Sequence, residues 1–222
     1  MKNDILILGD GLLGSEIIKQ TDWDYVSRKK DNVDLDEILS IVASNDKSII
    51  VNCIANTDTY SNDKQSHMDV NFKFVVDLVQ ICNQFDKKYI HISTDYVYSN
   101  SIVSATEDDV PVHNPTWYSY SKILADGYVE NFSQNHTTFR VTHKPRPFPY
   151  EKAWDNQARR IISLILRNVN GIYNIGVDNP RSVFTMAVET NKDVNGVGAP
   201  HEVPKNLIMS VSKIKELLNE SN

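Results

Sequence analysis

Two residues with reactive side chains stand one helical turn apart near the middle of the chain. Tyr118 and Lys122 form a Tyr-x-x-x-Lys pair within the segment Tyr-Ser-Tyr-Ser-Lys. If a helix begins by Tyr118, both side chains lie on the same face. A free tyrosine has a pKa of about 10, and a neighbouring ammonium group lowers it by favouring the phenolate. We therefore expect Tyr118 to exchange a proton with a ligand oxygen near neutral pH.

The context of this pair matters, because a Tyr-x-x-x-Lys spacing is common by chance and an exposed helix with a snorkelling lysine would also explain it. The segment Ser-Thr-Asp-Tyr-Val-Tyr at 93–98 ends a predicted strand, where open α/β sheets bind their ligands. The Thr94 hydroxyl could there hydrogen-bond the oxygen that Tyr118 protonates. Tyr120 is the poorer candidate, since Leu124 follows it one turn later.

A glycine-rich turn near the start of the chain predicts a dinucleotide site. Gly9, Gly11 and Gly14, with Leu12 and Leu13 between the last two, form a Gly-x-Gly-x-x-Gly motif directly after an apolar strand. The first glycine permits a tight turn, the second lets a pyrophosphate approach and the third allows close helix packing. Free amides at the helix start then receive the phosphates. The alternative is a glycine-rich turn that binds nothing, which is less common in this context.

The end of the second predicted strand points to the kind of cofactor. Proteins that prefer NAD place an acid there to hold the ribose 2′-hydroxyl. This chain instead has Ser27, Arg28, Lys29 and Lys30. A hydroxyl and cations suit the 2′-phosphate of NADP(H). A solvated basic turn is the competing interpretation, and NAD(H) is the alternative cofactor.

The pattern of apolar segments predicts the elements that position these residues. Runs that are apolar at every position favour strands covered on both faces, and therefore a parallel sheet. The order is strand and helix in alternation, a doubly wound α/β (Rossmann) fold. Strands are predicted at 5–8, 25–26, 49–53, 89–93, 138–141 and 172–175, and helices at 13–20, 35–43, 72–85, 118–131, 155–167 and 211–219.

Two segments are predicted to be irregular. Residues 99–117 form a long polar loop with Pro111 and Pro115, of a length that is usually functional. Residues 143–150 contain Pro145, Pro147 and Pro149, which excludes a regular helix or strand. The elements after residue 143 are too few for an independent domain. We expect one domain over residues 1–222, with a reduced substrate-binding lobe from about residue 143.

Composition excludes several classes of function. No run among the 222 residues approaches the ~20 apolar positions of a membrane span, and no signal peptide begins the chain, so we expect a cytoplasmic protein. The net charge of −6 disfavours a nucleic-acid surface. Cys53 and Cys82 lack disulfide or metal spacing. The histidines also lack ligand spacing, so no metal is expected; they are His67, His91, His113, His136, His143 and His201.

Five motifs in this order resemble one protein family. They are Gly-Asp-Gly-Leu-Leu-Gly, Val-Asn-Cys-Ile-Ala-Asn-Thr-Asp at 51–58, an asparagine at a helix start (Asn71), Ser-Thr-Asp-Tyr-Val-Tyr, and Tyr-Ser-Tyr-Ser-Lys. The chain is similar to the extended short-chain dehydrogenase/reductases, and within them to the dTDP-4-dehydrorhamnose reductase group. The resemblance covers residues 1 to about 142. The proline-rich stretch around Arg146 departs from the pattern of the group.

The resemblance implies roles for individual residues. Thr94, Tyr118 and Lys122 match the catalytic threonine, tyrosine and lysine, and Lys122 would also hold the nicotinamide ribose. The glycines of the turn match the cofactor glycines. Asn52 and Ala55 stand where backbone lines the cofactor, and Asn71 matches a structural asparagine.

The activity that the resemblance implies is reduction of a 4-keto group on a nucleotide-linked 6-deoxysugar by NADPH. An epimerase or dehydratase of the same fold is one alternative. A catalytically silent NADP-binding regulatory subunit is another, since a fold does not determine a function. The oligomeric state stays open between a monomer and a homodimer.

Overall fold

The structure is a computed structural model that describes residues 4–98, 104–112, 115–142, 151–177, 180–196, 198, 203–204 and 206–219. Only the backbone is described at 151–155, 183 and 190. The proline-rich segment 143–150, His113, His143 and His201 lie outside the described residues, as does the side chain of Trp154.

Six strands in the described ranges form one sheet, and every neighbouring pair is parallel. Their order is β2-β1-β3-β4-β5-β6, which confirms the predicted doubly wound fold. The strands add in opposite directions from β1, so a crevice opens at the carboxyl ends of β1 and β3. The bounds are β1 (Ile5–Leu8), β2 (Asp24–Val26), β3 (Ile49–Asn52), β4 (Lys88–Thr94), β5 (His136–Val141) and β6 (Gly171–Ile175).

Helices cover both faces of the sheet. They are α1 (Leu12–Gln20), α2 (Leu35–Ser44), α3 (Lys64–Met68), α4 (Phe74–Gln84), α5 (Trp117–Phe132), α6 (Glu151–Leu166), α7 (Val183–Thr190) and α8 (Ser212–Leu218). Successive strand residues point to opposite faces. Ile5 and Ile7 of β1 accordingly pack in a core with α1, α6 and α8. Leu6 and Leu8 pack in a second core with α2, α4 and α5.

Two helices were not predicted from the sequence. The polar α3 begins after Asp63, whose side chain accepts a hydrogen bond from the Ser66 amide, and it continues through a π-helical turn (Asp69–Lys73) into α4. Helix α7 begins at a similar cap, in which the Ser182 side chain accepts from the Thr185 amide. Neither α3 nor α7 buries a long apolar stripe, so hydrophobic periodicity could not reveal them.

The segment that follows β4 is less irregular than expected. A short 3₁₀ turn (Asp95–Tyr98) directly follows the strand. Ala105 pairs with Met209 in an isolated parallel bridge. The loop is therefore tied to the C-terminal part of the chain.

The two cysteines are free thiols, Cys53 half-buried and Cys82 buried. Burial raises the pKa of each thiol to about 12, so neither is a thiolate at neutral pH. Among the described helices, none combines the length and the apolar character that crossing a membrane requires.

Candidate active site

The glycine turn forms an open cradle at the start of α1. Gly9 has a φ of +92°, and a Cβ there would stand 2.8 Å from the Ile54 side chain. A Cβ on Gly14 would stand 2.1 Å from the Gly9 carbonyl oxygen, whereas a Cβ on Gly11 would meet nothing within 4 Å. No side chain caps the first turn of α1. These features fit a pyrophosphate, because free amides face an open space beside Gly11.

The leucines of the turn face different surroundings. Leu13 is buried in the core, whereas Leu12 is exposed. Leu12 is the first residue of α1, so its backbone lies beside the cradle.

The loop after β2 carries the basic residues. The Ser27 side chain is fully buried and its amide donates to Asp31 Oδ2 at 2.7 Å. Arg28 and Lys29 are exposed. Lys30 Nζ lies 3.2 Å from Asp10 Oδ2, within the glycine turn. Sequence reasoning missed Asp10 as a partner of this loop, although an acid inside the glycine motif was a visible signal.

Two asparagines shape the crevice through their side chains. Asn52 ends β3, where its Oδ1 accepts from the Ile54 amide at 3.0 Å and its Nδ2 donates to the Tyr89 hydroxyl at 3.0 Å. This holds the turn toward Ala55, which is half-buried. Asn71 exchanges two hydrogen bonds with the Asn56 backbone, at 2.8 and 3.0 Å.

Asn71 also connects this turn to α5. Its Nδ2 lies 3.2 Å from Ser121 Oγ, and Ser121 Oγ donates to the Tyr118 carbonyl oxygen at 2.9 Å. The π-helical turn brings Asn71 to this position. The asparagine is thus a structural link between the strand β3 crevice and the helix that bears Tyr118.

Strand β4 and helix α5 bring Thr94, Tyr118 and Lys122 together. Thr94 is the last residue of β4. Helix α5 begins after Thr116, whose hydroxyl accepts from the Ser119 amide, so Tyr118 lies in the first turn. All three side chains are buried. Lys122 Nζ donates to the Ile92 carbonyl oxygen at 2.6 Å, which anchors the lysine on β4.

The electrostatics of Tyr118 differ from the sequence prediction. Burial raises the pKa of Tyr118 to about 12, and a hydrogen bond with the Thr94 side chain opposes that rise. Burial also lowers the pKa of Lys122 to about 8, against the attraction of Asp126. The pKa of Tyr118 is thus raised, whereas the sequence predicted that it would be lowered.

Aromatic rings surround the Tyr118 side chain. The Tyr96 ring meets it edge-on with a centroid separation of 5.7 Å, and the His67 ring does so at 6.3 Å. The Tyr96 hydroxyl lies 2.8 Å from the hydroxyl of Tyr60, which is half exposed. Tyr60 and His67 carried no sequence signal, because Tyr60 reaches Tyr96 and His67 reaches Tyr118 only through the unpredicted segment around α3.

Trp117 and His91 lie on the same helix and strand as the three site residues. Trp117 packs edge-on against the Tyr120 ring at 5.9 Å and lies under Lys64 Nζ at 5.0 Å. His91 is buried, and burial lowers its pKa, so it is a neutral core residue. Within the described ranges, no group of three metal-ligating side chains is found.

The fold and this placement of threonine, tyrosine and lysine at the carboxyl edge of a parallel sheet define the extended short-chain dehydrogenase/reductases, a class of NAD(P)-dependent enzymes. The chain belongs to the family described as the RmlD substrate binding domain, whose model matches residues 1–144. Comparison of the sequence with curated proteins gave no match.

Solved structures share the fold at low identity. The dTDP-4-dehydrorhamnose reductase of Clostridium acetobutylicum has a TM-score of 0.80 and 18% identity, covering 97% of this chain and 92% of that one. The Bacillus anthracis dTDP-4-dehydrorhamnose reductase, in complex with NADP, has a TM-score of 0.78, 19% identity and coverage of 100% and 94%. A dTDP-glucose 4,6-dehydratase of Streptomyces venezuelae with NAD bound has a TM-score of 0.78 and 15% identity, covering 98% of this chain and 91% of that one.

Proposed function

We propose that the chain is an NADPH-dependent reductase of a nucleotide-linked 4-keto-6-deoxysugar. The observation that carries this proposal is the buried set of Thr94, Tyr118 and Lys122 at the edge of the crevice that the glycine turn also borders. Membership of the RmlD family supports the substrate class. The B. anthracis enzyme with NADP bound supports the cofactor.

The cofactor would lie between the glycine turn and α5. The open space at Gly11 would receive its pyrophosphate, and Lys122 would hold the nicotinamide ribose. When bound, a reduced nicotinamide supplies the hydride that a carbonyl carbon accepts. Arg28 and Lys29 would attract a 2′-phosphate.

Tyr118 would donate the proton. With its pKa raised to about 12, the phenol is protonated at neutral pH, as a general acid must be at the start of a reduction. Thr94 would orient the substrate oxygen toward the phenol. Lys122 keeps a positive charge near the site below its pKa of about 8, which favours the negative charge that develops on that oxygen.

The protonated phenol supports a reductase over an epimerase or dehydratase of the same fold. An epimerase or dehydratase first removes a proton from a substrate hydroxyl, which requires a phenolate. Burial disfavours the phenolate of Tyr118. The substrate is proposed to rest against the part of the chain from about residue 143, which includes α7.

The experiment compares the unmodified protein with Tyr118→Phe and Tyr120→Phe, using NADPH, a panel of nucleotide-linked 4-keto-sugars and mass spectrometry of the products. Tyr118→Phe keeps the ring and removes the proton donor, so turnover should fall by about 10²–10⁴-fold. Tyr120 is partly exposed on the same helix, and its variant should keep most activity.

Each alternative gives a different result. In a parallel reaction with the oxidised cofactor and nucleotide-linked 4-hydroxy sugars, conversion to the 4-epimer or loss of water without net change of the cofactor would favour an epimerase or dehydratase. Binding of NADPH without turnover of any sugar would favour the regulatory subunit. Equal rates for Tyr118→Phe and the unmodified protein would contradict the assignment of the proton donor.

A further inference from the structure

An acid within the glycine turn reaches across to the basic loop after β2. Asp10 stands between Gly9 and Gly11, and its Oδ2 lies 3.2 Å from Lys30 Nζ. The Ser27 side chain also hydrogen-bonds Asp10, and this bond is the main cause that lowers the pKa of the Asp10 carboxyl group. One carboxylate thus contacts both a hydroxyl and a cation of the loop.

The loop is organised around this contact. Lys30 donates its backbone amide to Ser27 Oγ at 3.2 Å, so the two partners of Asp10 are also bonded to each other. The Lys30 ammonium group lies 5.3 Å from the centre of the Tyr25 ring, which limits where it can move. Asp10 is itself only about one quarter exposed.

The rest of the basic loop is arranged differently. Arg28 and Lys29 are exposed, and no ion pair joins either of them to another residue in the described part of the chain. Of the three cations in this loop, only Lys30 forms an ion pair with an acid among the described residues. In folds of this type, the adenosine ribose lies between the glycine turn and the end of the second strand, which is where this contact lies.

The Asp10 carboxylate would have opposite effects on the binding of the two forms of the cofactor. A ribose 2′-hydroxyl can donate a hydrogen bond to Asp10. A 2′-phosphate is an acceptor with negative charge, so it would be repelled by Asp10 and would compete with it for Ser27 and Lys30.

We propose that Asp10 is a specificity-determining residue that restrains the preference for a 2′-phosphorylated cofactor by holding Ser27 and Lys30. A cofactor with a 2′-phosphate binds when its phosphate displaces the Asp10 carboxylate from Lys30. The cofactor without it binds with the Asp10–Lys30 pair intact. This inference rests on the proposed function only in that the protein binds a nicotinamide dinucleotide.

The test is equilibrium titration of NADPH and NADH, monitored by cofactor fluorescence, on the unmodified protein and on Asp10→Asn. The amide keeps the size of the carboxylate and removes its charge. We expect NADPH to bind tighter by on the order of tenfold, with NADH unchanged or weaker. Asp46→Asn is the matched control, since Asp46 is an exposed acid that precedes β3 at the opposite edge of the sheet.

A second variant keeps the test decisive if Asp10→Asn does not fold. Lys30→Met leaves the Asp10 charge without its cation, so NADPH binding should weaken more than NADH binding. Adenosine 2′,5′-bisphosphate and AMP differ only at the 2′ position. Titration with these two ligands should therefore show the same changes in relative affinity for Asp10→Asn and for Lys30→Met.

The outcomes separate this inference from the proposed function. If the unmodified protein binds neither NADPH nor NADH, the proposed function is wrong. If it binds them and the affinity ratio of Asp10→Asn equals that of Asp46→Asn, the role of Asp10 is overturned. Equal weakening of NADPH and NADH binding by Lys30→Met would overturn the role of Asp10 as well.

Discussion

Tyr118 lies in the first turn of α5 with only 7% of its surface exposed. Its phenol is packed against the edges of other rings and bonded by Thr94, so loss of its proton would place a negative charge where water cannot reach it. Desolvation of this kind disfavours the charged form. The phenol is therefore protonated at neutral pH, as its proposed role of proton donor requires.

The first prediction concerns Arg28, whose exposed guanidinium group would contact a 2′-phosphate. Replacement by glutamine removes a charge-assisted hydrogen bond but leaves the fold intact, because the side chain is not part of the core. We expect the ratio of NADPH to NADH affinity to fall by roughly 10- to 100-fold. Calorimetric titration with each cofactor measures the two affinities and so their ratio.

Lys192→Gln serves as the control for this prediction, since Lys192 is an exposed cation that follows α7 and is not part of the loop after β2. Its affinity ratio should equal that of the unmodified protein. Identical ratios for Arg28→Gln and Lys192→Gln would show that Arg28 has no part in cofactor choice.

At the scale of elements, buried lysines join the start of β4 to the ends of helices. Lys87 Nζ donates to the carbonyl oxygens of Asn45 and Lys47 beyond α2, at 2.9 and 2.7 Å. Lys88 Nζ donates to Asn168 Oδ1, Asn170 Oδ1 and the Val169 carbonyl oxygen beyond α6, at 2.9, 2.6 and 2.6 Å. Each buried ammonium group thus fastens the loop that follows a helix to the start of β4.

Lys88→Met should therefore destabilise the fold. Methionine keeps the apolar stem and removes three hydrogen bonds, while the loss of a buried charge offsets part of the effect. We expect the free energy of unfolding to fall by about 1–2 kcal/mol. Urea denaturation measures this difference.

The matched variant is Lys192→Met, which makes the same chemical change at an exposed position and should alter stability by less than about 0.5 kcal/mol. If the two variants unfold at the same urea concentration, the contacts of Lys88 do not stabilise the end of α6.

At the scale of the whole molecule, a buried polar network connects five elements: α5, β4, β5, β6 and the 3₁₀ turn after β4. Asp126 of α5 accepts from Arg140 Nε at 3.1 Å and lies 3.3 Å from His91 Nε2. The Arg140 guanidinium group bonds the Tyr98 hydroxyl, which donates to Asn174 Oδ1 at 3.2 Å. Burial lowers the pKa of His91, so its imidazole is neutral. The Asp126–Arg140 pair is therefore the ionic part of the network.

This network predicts part of the acid sensitivity of the protein. The pKa of Asp126 is lowered to about 2 from 3.8, by His91 and Arg140 acting against burial. Because the folded pKa is depressed, the stabilisation is complete above pH 3.8 and is lost as the pH falls toward 2. That shift corresponds to about 2 kcal/mol.

Chemical denaturation between pH 7 and pH 2 tests this effect. The unmodified protein should lose about 2 kcal/mol more stability than Asp126→Asn, which cannot titrate at this position. If the single variant does not fold because Arg140 is left unpaired, Asp126→Leu combined with Arg140→Met provides the comparison. Parallel pH profiles for the variant and the unmodified protein would contradict the role of Asp126.

The sequence by itself determined the strands of the sheet, the glycine turn, the position of Thr94 at a strand end and the one-turn spacing of Tyr118 and Lys122. Apolar runs such as Ile5–Leu8 indicate strands buried on both faces, and short-range spacing sets where the turn and the one-turn pair lie. These features depend on residues near one another in the chain, which is why the pattern was sufficient to predict them.

Only the tertiary structure decided the surroundings of these residues. The contacts of Asp10 with Lys30 and of His67 with Tyr118, and the anchoring of Lys122 on β4, join residues far apart in the chain. The pKa of Tyr118 depends on burial, and the spacing of residues in the sequence does not indicate how deeply a side chain is buried. A local pattern determines which face of an element a side chain occupies, whereas solvation and charge at that position depend on elements packed from elsewhere.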